Sequence, residues 1–113
     1  MVSIDTFYTL ALSFPDASEL SHFEKRSFRV NKKIFITLDI INKRAVVKLS
    51  PIDQSVFCEF DKDAIYPVKG AWGKQGWTAV ELKKVNKSMM VDLLTLSYDL
   101  VKTKRTKPRK SKI

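Results

Sequence analysis

The sequence predicts an α+β protein in which helices pack on one antiparallel five-stranded sheet. Residues 27–50 alternate between apolar and polar side chains, which is typical of strands, and apolar residues recur at helical spacing near both ends of the chain. The turns between the first strands are very short, so these strands must be antiparallel neighbours. The predicted order is α-β-β-β-α-β-β-α, arranged as a two-layer sandwich.

The first helix is predicted over residues 4–13. Its apolar side chains recur at positions i, i+3, i+4 and i+7, Ser3 can cap its first turn, and Pro15 ends it. Three strands are predicted to follow, with hairpin turns at Asn31-Lys32 and Asn42-Lys43, because asparagine tolerates the positive φ of tight turns.

The middle strand of this meander carries the clearest apolar stripe. Its members are Ile34, Ile36, Leu38 and Ile40. Because side chains alternate along a strand, Phe35 is expected on the opposite face, partly exposed. A sheet with helices on one side only would leave that second face free for a partner.

A second helix is predicted to start at Ser50-Pro51 and to run to about Glu59. Serine is a good N-cap, and proline suits the first helical position. The side chains expected to face inward are those of Ile52, Val56 and Phe57. Residues 64–68 are predicted to form a strand at an edge or a strand end, because Pro67 cannot donate to a ladder.

The last third of the sequence contains a glycine-rich loop, a strand and a long helix. Three glycines punctuate residues 70–76, and residues 77–82 alternate as a strand. Asn86 is expected to cap the final helix. The inward stripe of that helix is predicted to comprise Met89, Met90, Leu93, Leu94, Ser97, Leu100 and Val101.

Positive charge is concentrated at the C-terminus. The 113 residues carry a formal charge of +9, and residues 102–113 hold seven Lys and Arg but no acid. We therefore predict one domain over residues 1–101 and a disordered basic tail over residues 102–113. Such a tail is either an electrostatic arm for nucleic acid or anionic lipid, or a solubilising terminus without a specific partner.

Several functional classes lack support in the sequence. No apolar run approaches a membrane span, and one cysteine with one histidine argues against an internal disulfide or a zinc cage. His22 is expected in a loop and Cys58 on the second helix, without a base beside a nucleophile. Asp61 and Asp63 could hold a cation or simply face solvent. We expect a cytoplasmic protein that is not an enzyme, with no metal, no cofactor and no membrane association.

A set of short motifs resembles the MmcQ/YjbR family over residues 5–102. The motifs are Pro15-Asp16, Phe28-Arg29-Val30-Asn31-Lys32-Lys33-Ile34-Phe35, Lys48-Leu49-Ser50-Pro51, Tyr66-Pro67, Trp72-Gly73-Lys74-Gln75-Gly76-Trp77, Leu93-Leu94 and Ser97-Tyr98. The resemblance implies the same order of elements, in a fold similar to the CyaY (frataxin) sheet and to type III secretion chaperones. It also implies a small bacterial protein of a kind labelled DNA-binding. The sequence departs from the family at Lys32, where glycine is frequent.

Two regions mix the residue types that bind nucleic acid. Arg29, Lys32 and Lys33 lie on or beside one tight hairpin, which could lay charge along a phosphate backbone or merely be solvated. Trp72, Lys74 and Trp77 share the glycine-rich loop, where indoles either stack on bases or pin the loop to the core. In the tail, the candidate contacts to nucleic acid are Lys104 and Arg105.

The leading hypothesis is a DNA-binding protein with phosphate contacts and low sequence specificity. The alternative is a protein-interaction or chaperone-like module that uses an open sheet face. A monomer or a weak homodimer is expected in either case.

Overall fold

The described residues form four helices and one antiparallel sheet of six strands. The structure, a computed structural model, describes residues 1–22 and 25–110, and the side chains of all of these except 21, 22 and 103–110. The elements are α1 (Ile4–Leu12), β1 (Ser18–His22), β2 (Lys25–Val30), β3 (Lys33–Asp39), β4 (Arg44–Lys48), α2 (Pro51–Phe60), β5 (Ile65–Pro67), α3 (Ala71–Lys74), β6 (Trp77–Glu81) and α4 (Lys87–Lys110). The strand order in the sheet is β1-β2-β3-β4-β6-β5.

The α+β class and the antiparallel sheet are confirmed, but the sheet has six strands instead of five. The extra strand is β1, which pairs with β2 at the edge of the sheet. Its sequence, Ser-Glu-Leu-Ser-His, contains one apolar residue, so no alternation marks it as a strand. The pairing therefore puts His22, which was expected in a loop, at the last position of β1.

Helices α1 and α4 cover one face of the sheet. Phe7 of α1 packs edge-on against Phe28 of β2, with ring centroids 5.8 Å apart. Leu93 and Leu94 of α4 are buried in the same apolar core. The caps are those expected, since Ser3 accepts a hydrogen bond from the backbone N–H of Thr6 and Asn86 accepts one from that of Met89.

A β-bulge overturns the prediction for Phe35. Arg29 pairs with Ile34 and Phe28 pairs with Ile36, so Phe35 is an extra residue in β3. Phe35 is fully buried against the helices instead of lying on the second face. The bulge interrupts the alternation, and Ile34 is consequently turned away from the stripe that Ile36 begins.

Helix α2 begins as predicted but faces differently. Ser50 caps it through the backbone N–H of Asp53. Ile52 and Val56, predicted to face inward, are 76% and 60% exposed, and Phe60 is 73% exposed. The prediction for these two residues was wrong because α2 lies beside the three-residue strand β5 and has little sheet to cover.

The last helix is longer than the domain boundary at residue 101 suggested. The backbone of α4 continues to Lys110, through most of the segment predicted to be a tail. Residues 111–113 lie outside the described part of the chain, as do the side chains of Lys104 and Arg105. The division into domain and disordered tail stays a prediction.

Candidate nucleic-acid interface

The sheet face opposite α1 and α4 is built from alternate residues of the strands. Cross-strand pairing brings Thr37 beside Ser27 and Val46, and Val46 beside Ala79. The bulge adds Ile34 to this face, directly opposite Arg29. We refer to this surface as the open face.

Three adjoining cavities follow the open face from the β2–β3 hairpin toward Arg44. The first cavity is lined by Lys33 and Lys74 and the second by Arg29 and Trp72. Each has a volume of about 540 Å³, and they share Ile34 and Trp77 as walls. The third, of about 390 Å³, shares Thr37, Val46 and Val68 with the second. Because neighbouring cavities have common walls, they form one continuous channel, which we call the track.

The track is lined by cations far more than by acids. Its only acidic wall residue among the described side chains is Asp39. The cations that line it are Lys25, Arg29, Lys33, Arg44, Lys48, Lys69 and Lys74. Arg26 borders the second cavity, but it alternates to the face covered by α1, where its Nε donates to the Tyr8 hydroxyl. Residues 1–101 hold 14 Lys and Arg against 12 Asp and Glu, so this excess reflects the placement of the charges and not their number.

Two indoles stand at the centre of the track. The rings of Trp72 and Trp77 are 6.0 Å apart at their centroids and inclined by 59°. Trp77 is half-buried and carries the ammonium of Lys48 over its ring, 5.2 Å from the centroid. Trp72, on the short helix α3, is 61% exposed. Trp77 is therefore partly packed into the fold, whereas Trp72 presents most of its surface to solvent.

Tight backbone packing fixes the segment that carries the indoles. A Cβ at Gly73 would lie 1.9 Å from the carbonyl oxygen of Val68, and one at Gly76 would lie 2.0 Å from that of Leu49. The amide of Gln54 on α2 also donates to the carbonyl oxygen of Gly73, over 2.9 Å. These contacts hold α3, and with it Trp72, against α2 and against the residues that follow β4 and β5.

Arg29 contributes a guanidinium to the wall of the second cavity. Its Nε is shielded from solvent and has no hydrogen-bond partner within the described part of the chain. A buried donor without a partner is costly, and an anion in the cavity would relieve that cost. Arg26 differs, because its Nε donates to the Tyr8 hydroxyl and lies 3.4 Å from a carboxylate oxygen of Glu19.

The far end of the track contains a polar cluster. Glu81 accepts a hydrogen bond from the Tyr66 hydroxyl and another from Arg44, whose Nε lies 2.8 Å away. Burial alone would raise the pKa of Glu81, but the hydrogen bonds from Tyr66 and Arg44 leave that pKa below its ordinary value. Burial and the nearby carboxylate raise the pKa of Tyr66. This cluster neutralises Arg44, so the more available cations lie toward the hairpin end.

The structure brings most of the predicted binding residues together. Arg29, Trp72 and Trp77 line the second cavity, and Lys33, Lys74 and Trp77 line the first. Lys32 occupies the exposed hairpin tip at φ 71°, beside Lys33 but outside the cavity walls. The side chains of Lys104 and Arg105 lie outside those that the structure describes, although α4 enters the first cavity through Leu100 and Val101.

Sequence reasoning missed Lys48 and Lys69 as members of this surface. The position of Lys48 could have been predicted, because Lys48 lies two residues after Val46 on β4 and therefore shares its face. Lys69 lies in the connection between β5 and α3, where no periodicity operates. Its position depends on the close packing of that connection.

The remaining candidate groups have structural roles. Burial raises the pKa of the Cys58 thiol, which keeps the thiol protonated at neutral pH. The Asp61 carboxylate accepts backbone hydrogen bonds from Asp63 and Ala64, so it closes a turn. The described residues include no group of three or more His, Cys, Asp or Glu suited to a metal ion. Within the same residues, no helix has the length and hydropathy needed to cross a bilayer.

Comparisons with known proteins concern nearly the whole domain. A family model described as YjbR matches residues 12–100. The crystal structure of protein DR2400 from Deinococcus radiodurans, with a DUF419 domain, is similar to this chain at a TM-score of 0.82 and 24% identity. The similarity covers 93% of this chain and 82% of that chain, and at this identity it shows a common fold. Comparison with curated proteins gives no match.

Proposed function

The chain belongs to the YjbR family, and we propose that it is a non-catalytic DNA-binding protein whose open face holds the phosphate backbone. The observation that supports this proposal most strongly is the track, which has seven cations and one acid among its described wall residues on the open face. A surface of this kind attracts a linear polyanion, because each phosphate neutralised by Lys or Arg releases condensed counterions. Contacts to phosphate bring little sequence specificity.

The geometry modifies the original hypothesis in one respect. Phosphate contacts were expected from Arg29, Lys32 and Lys33 of the hairpin, from the tryptophan segment and from the tail. The cavity walls favour Arg29 and Lys33 over Lys32, since only those two line the cavities. The tail extends from the same cavity, because Val101 is one of its walls and α4 continues beyond it. Tail and track therefore form one candidate binding region.

The test compares two variants of the full chain with the same loss of charge. The track variant replaces Lys33, Lys69 and Lys74 with glutamine; all three are exposed, so the fold should tolerate the changes. The control variant replaces Lys83, Lys84 and Lys87, which are also exposed but line none of these three cavities. DNA affinity is measured across a salt series.

We expect the track variant to bind more weakly and with a smaller salt dependence. Each lost phosphate contact should lower the slope of log affinity on log salt by about 0.7 to 0.9. The control variant should keep the slope of the wild type. Equal losses in both variants would mean that only net charge matters, and unchanged binding by the track variant would place the DNA elsewhere. A third variant, with the Lys and Arg residues of 104–112 changed to glutamine, measures the tail's share.

A protein-interaction role is the second candidate, and α2 is the observation that favours it. Ile52, Val56 and Phe60 recur every four residues and form an exposed apolar stripe along this helix. Sedimentation of the wild type and of a Phe60→Ser variant, over a range of concentrations, tests self-association through the stripe. A dimer that the substitution abolishes would support this role, whereas a monomer at every concentration would contradict it for a second copy.

A further inference from the structure

We propose that the track selects single-stranded DNA over duplex DNA by stacking an unpaired base on Trp72. This proposal rests on the proposed function and adds the form of the DNA that is bound. Its central observation is the unequal exposure of the two indoles, with Trp77 packed under Lys48 and Trp72 61% exposed beside it. An exposed indole next to cations is a stacking platform for any base, since every base has a π-face.

The shape of the site favours a single strand. The tryptophan pair lies in a concave surface, within cavities of about 540 Å³, which is a volume suited to a ligand of one or two bases. In a duplex the faces of the bases are occupied by their neighbours, and the edges are reached by an element that protrudes into a groove about 12 Å wide. A concave platform gives a paired base no access to the Trp72 ring.

The charges around Trp72 match the backbone of a strand whose base is stacked there. The second cavity, which Trp72 lines, also has the guanidinium of Arg29 in its wall. The shielded Nε of that guanidinium has no hydrogen-bond partner among the described residues. Lys33 and Lys74 line the adjoining cavity beyond Trp77. A strand that follows the track thus meets cations on both sides of the stacked base, which is the combination found in single-strand binding surfaces.

The experiment uses the full chain and two probes of one sequence: a labelled single-stranded DNA of 15 nucleotides and its duplex. Affinities are measured for the wild type, for Trp72→Ala and for Ile41→Ala. Ile41 is the control, because it is a large apolar residue, is 66% exposed and lies in the turn between β3 and β4, outside the track. Quenching of tryptophan fluorescence by each probe reports stacking independently of affinity.

The wild type should bind the single strand more tightly than the duplex. Trp72→Ala should weaken single-strand binding roughly 5- to 150-fold, the usual loss for one base–aromatic stack, and leave duplex binding almost unchanged. Ile41→Ala should behave as the wild type.

The outcomes separate this proposal from the proposed function. Equal or tighter duplex binding, with no effect of Trp72→Ala, would overturn single-strand selection and leave DNA binding intact. Absence of binding to every probe would overturn both proposals.

Discussion

Ser97 joins α4 to the sheet beside the bulge of β3, at the point where the ladder between β3 and β4 ends with the pair Ile36 and Val47. Its hydroxyl donates to the backbone carbonyl of Phe35 over 2.7 Å and accepts from the backbone N–H of Lys48 over 3.1 Å. The side chain is fully buried. Replacing Ser97 with alanine removes both hydrogen bonds and leaves two backbone groups without these partners.

The expected loss of stability follows from the surroundings of these two groups. The carbonyl of Phe35 is buried, and leaving it unpaired should cost about 2 kcal/mol. The N–H of Lys48 is only partly buried, and its lost hydrogen bond should cost about 1 kcal/mol. The total of about 3 kcal/mol is a large part of the 5–15 kcal/mol that typically stabilises a domain. With an unfolding entropy of about 0.23 kcal/mol/K for a chain of this length, Tm should fall by about 13 °C.

Thermal and urea unfolding of Ser97→Ala measure this loss. Ser55→Ala is the matched control, because Ser55 is also a helical serine but is exposed on α2. The higher helix propensity of alanine adds the same few tenths of a kcal/mol to both variants, so it cancels in the comparison. Unfolding free energies of the two variants within about 1 kcal/mol of each other would refute the bridging role of Ser97.

Three further predictions concern charge and backbone geometry. The pKa of Glu81 is lowered in the folded protein, so its carboxylate stabilises the fold above the ordinary pKa of 4.5 and loses this effect as the pH falls below that value. Glu81→Gln should therefore lower the free energy of unfolding, measured in urea, at pH 7 and much less near pH 3. Lys32 lies at φ 71°, so Lys32→Gly should raise the free energy of unfolding by a few tenths to about 1 kcal/mol, and a decrease would contradict this. At Gly73 a Cβ would lie 1.9 Å from a carbonyl oxygen of Val68, so Gly73→Ala should lower Tm and shift the emission of the indoles. Gly70→Ala meets open space and should cost only about 1–2 kcal/mol for its φ of 77°, and an equal effect of the two changes would disprove the clash.

Local signals in the sequence were enough to predict most of the architecture. The serine and asparagine caps, Pro51 and the two asparagine turns depend on residues close in sequence, and the structure has them where expected. The placement of β5 at an edge followed from Pro67, and it is confirmed. These features could be predicted because neighbours along the chain determine them.

The errors arose where distant contacts decide the structure. Phe35 became a core residue through a bulge opposite Phe28, and alternation along β3 alone gives no sign of it. Ile52 and Val56 satisfy a helical apolar pattern, but only tertiary packing determines which face of α2 meets the sheet. The track combines residues from all six strands, from helices α2, α3 and α4 and from the segment between β5 and α3. Its charge excess is therefore invisible in a sequence whose first 101 residues are nearly neutral.

The two outer strands have a consequence for how the protein behaves when it is concentrated. An exposed strand edge is a template on which another chain can extend the sheet, and such growth leads to aggregation. At one edge, β5 has three residues, and Pro67 among them has no amide hydrogen to offer. At the other, β1 carries Glu19, whose carboxylate accepts a hydrogen bond from the Tyr8 hydroxyl. A short edge and a charged edge are both poor templates. The protein therefore exposes Trp72 and the apolar stripe of α2 while its sheet resists pairing with strands of other molecules.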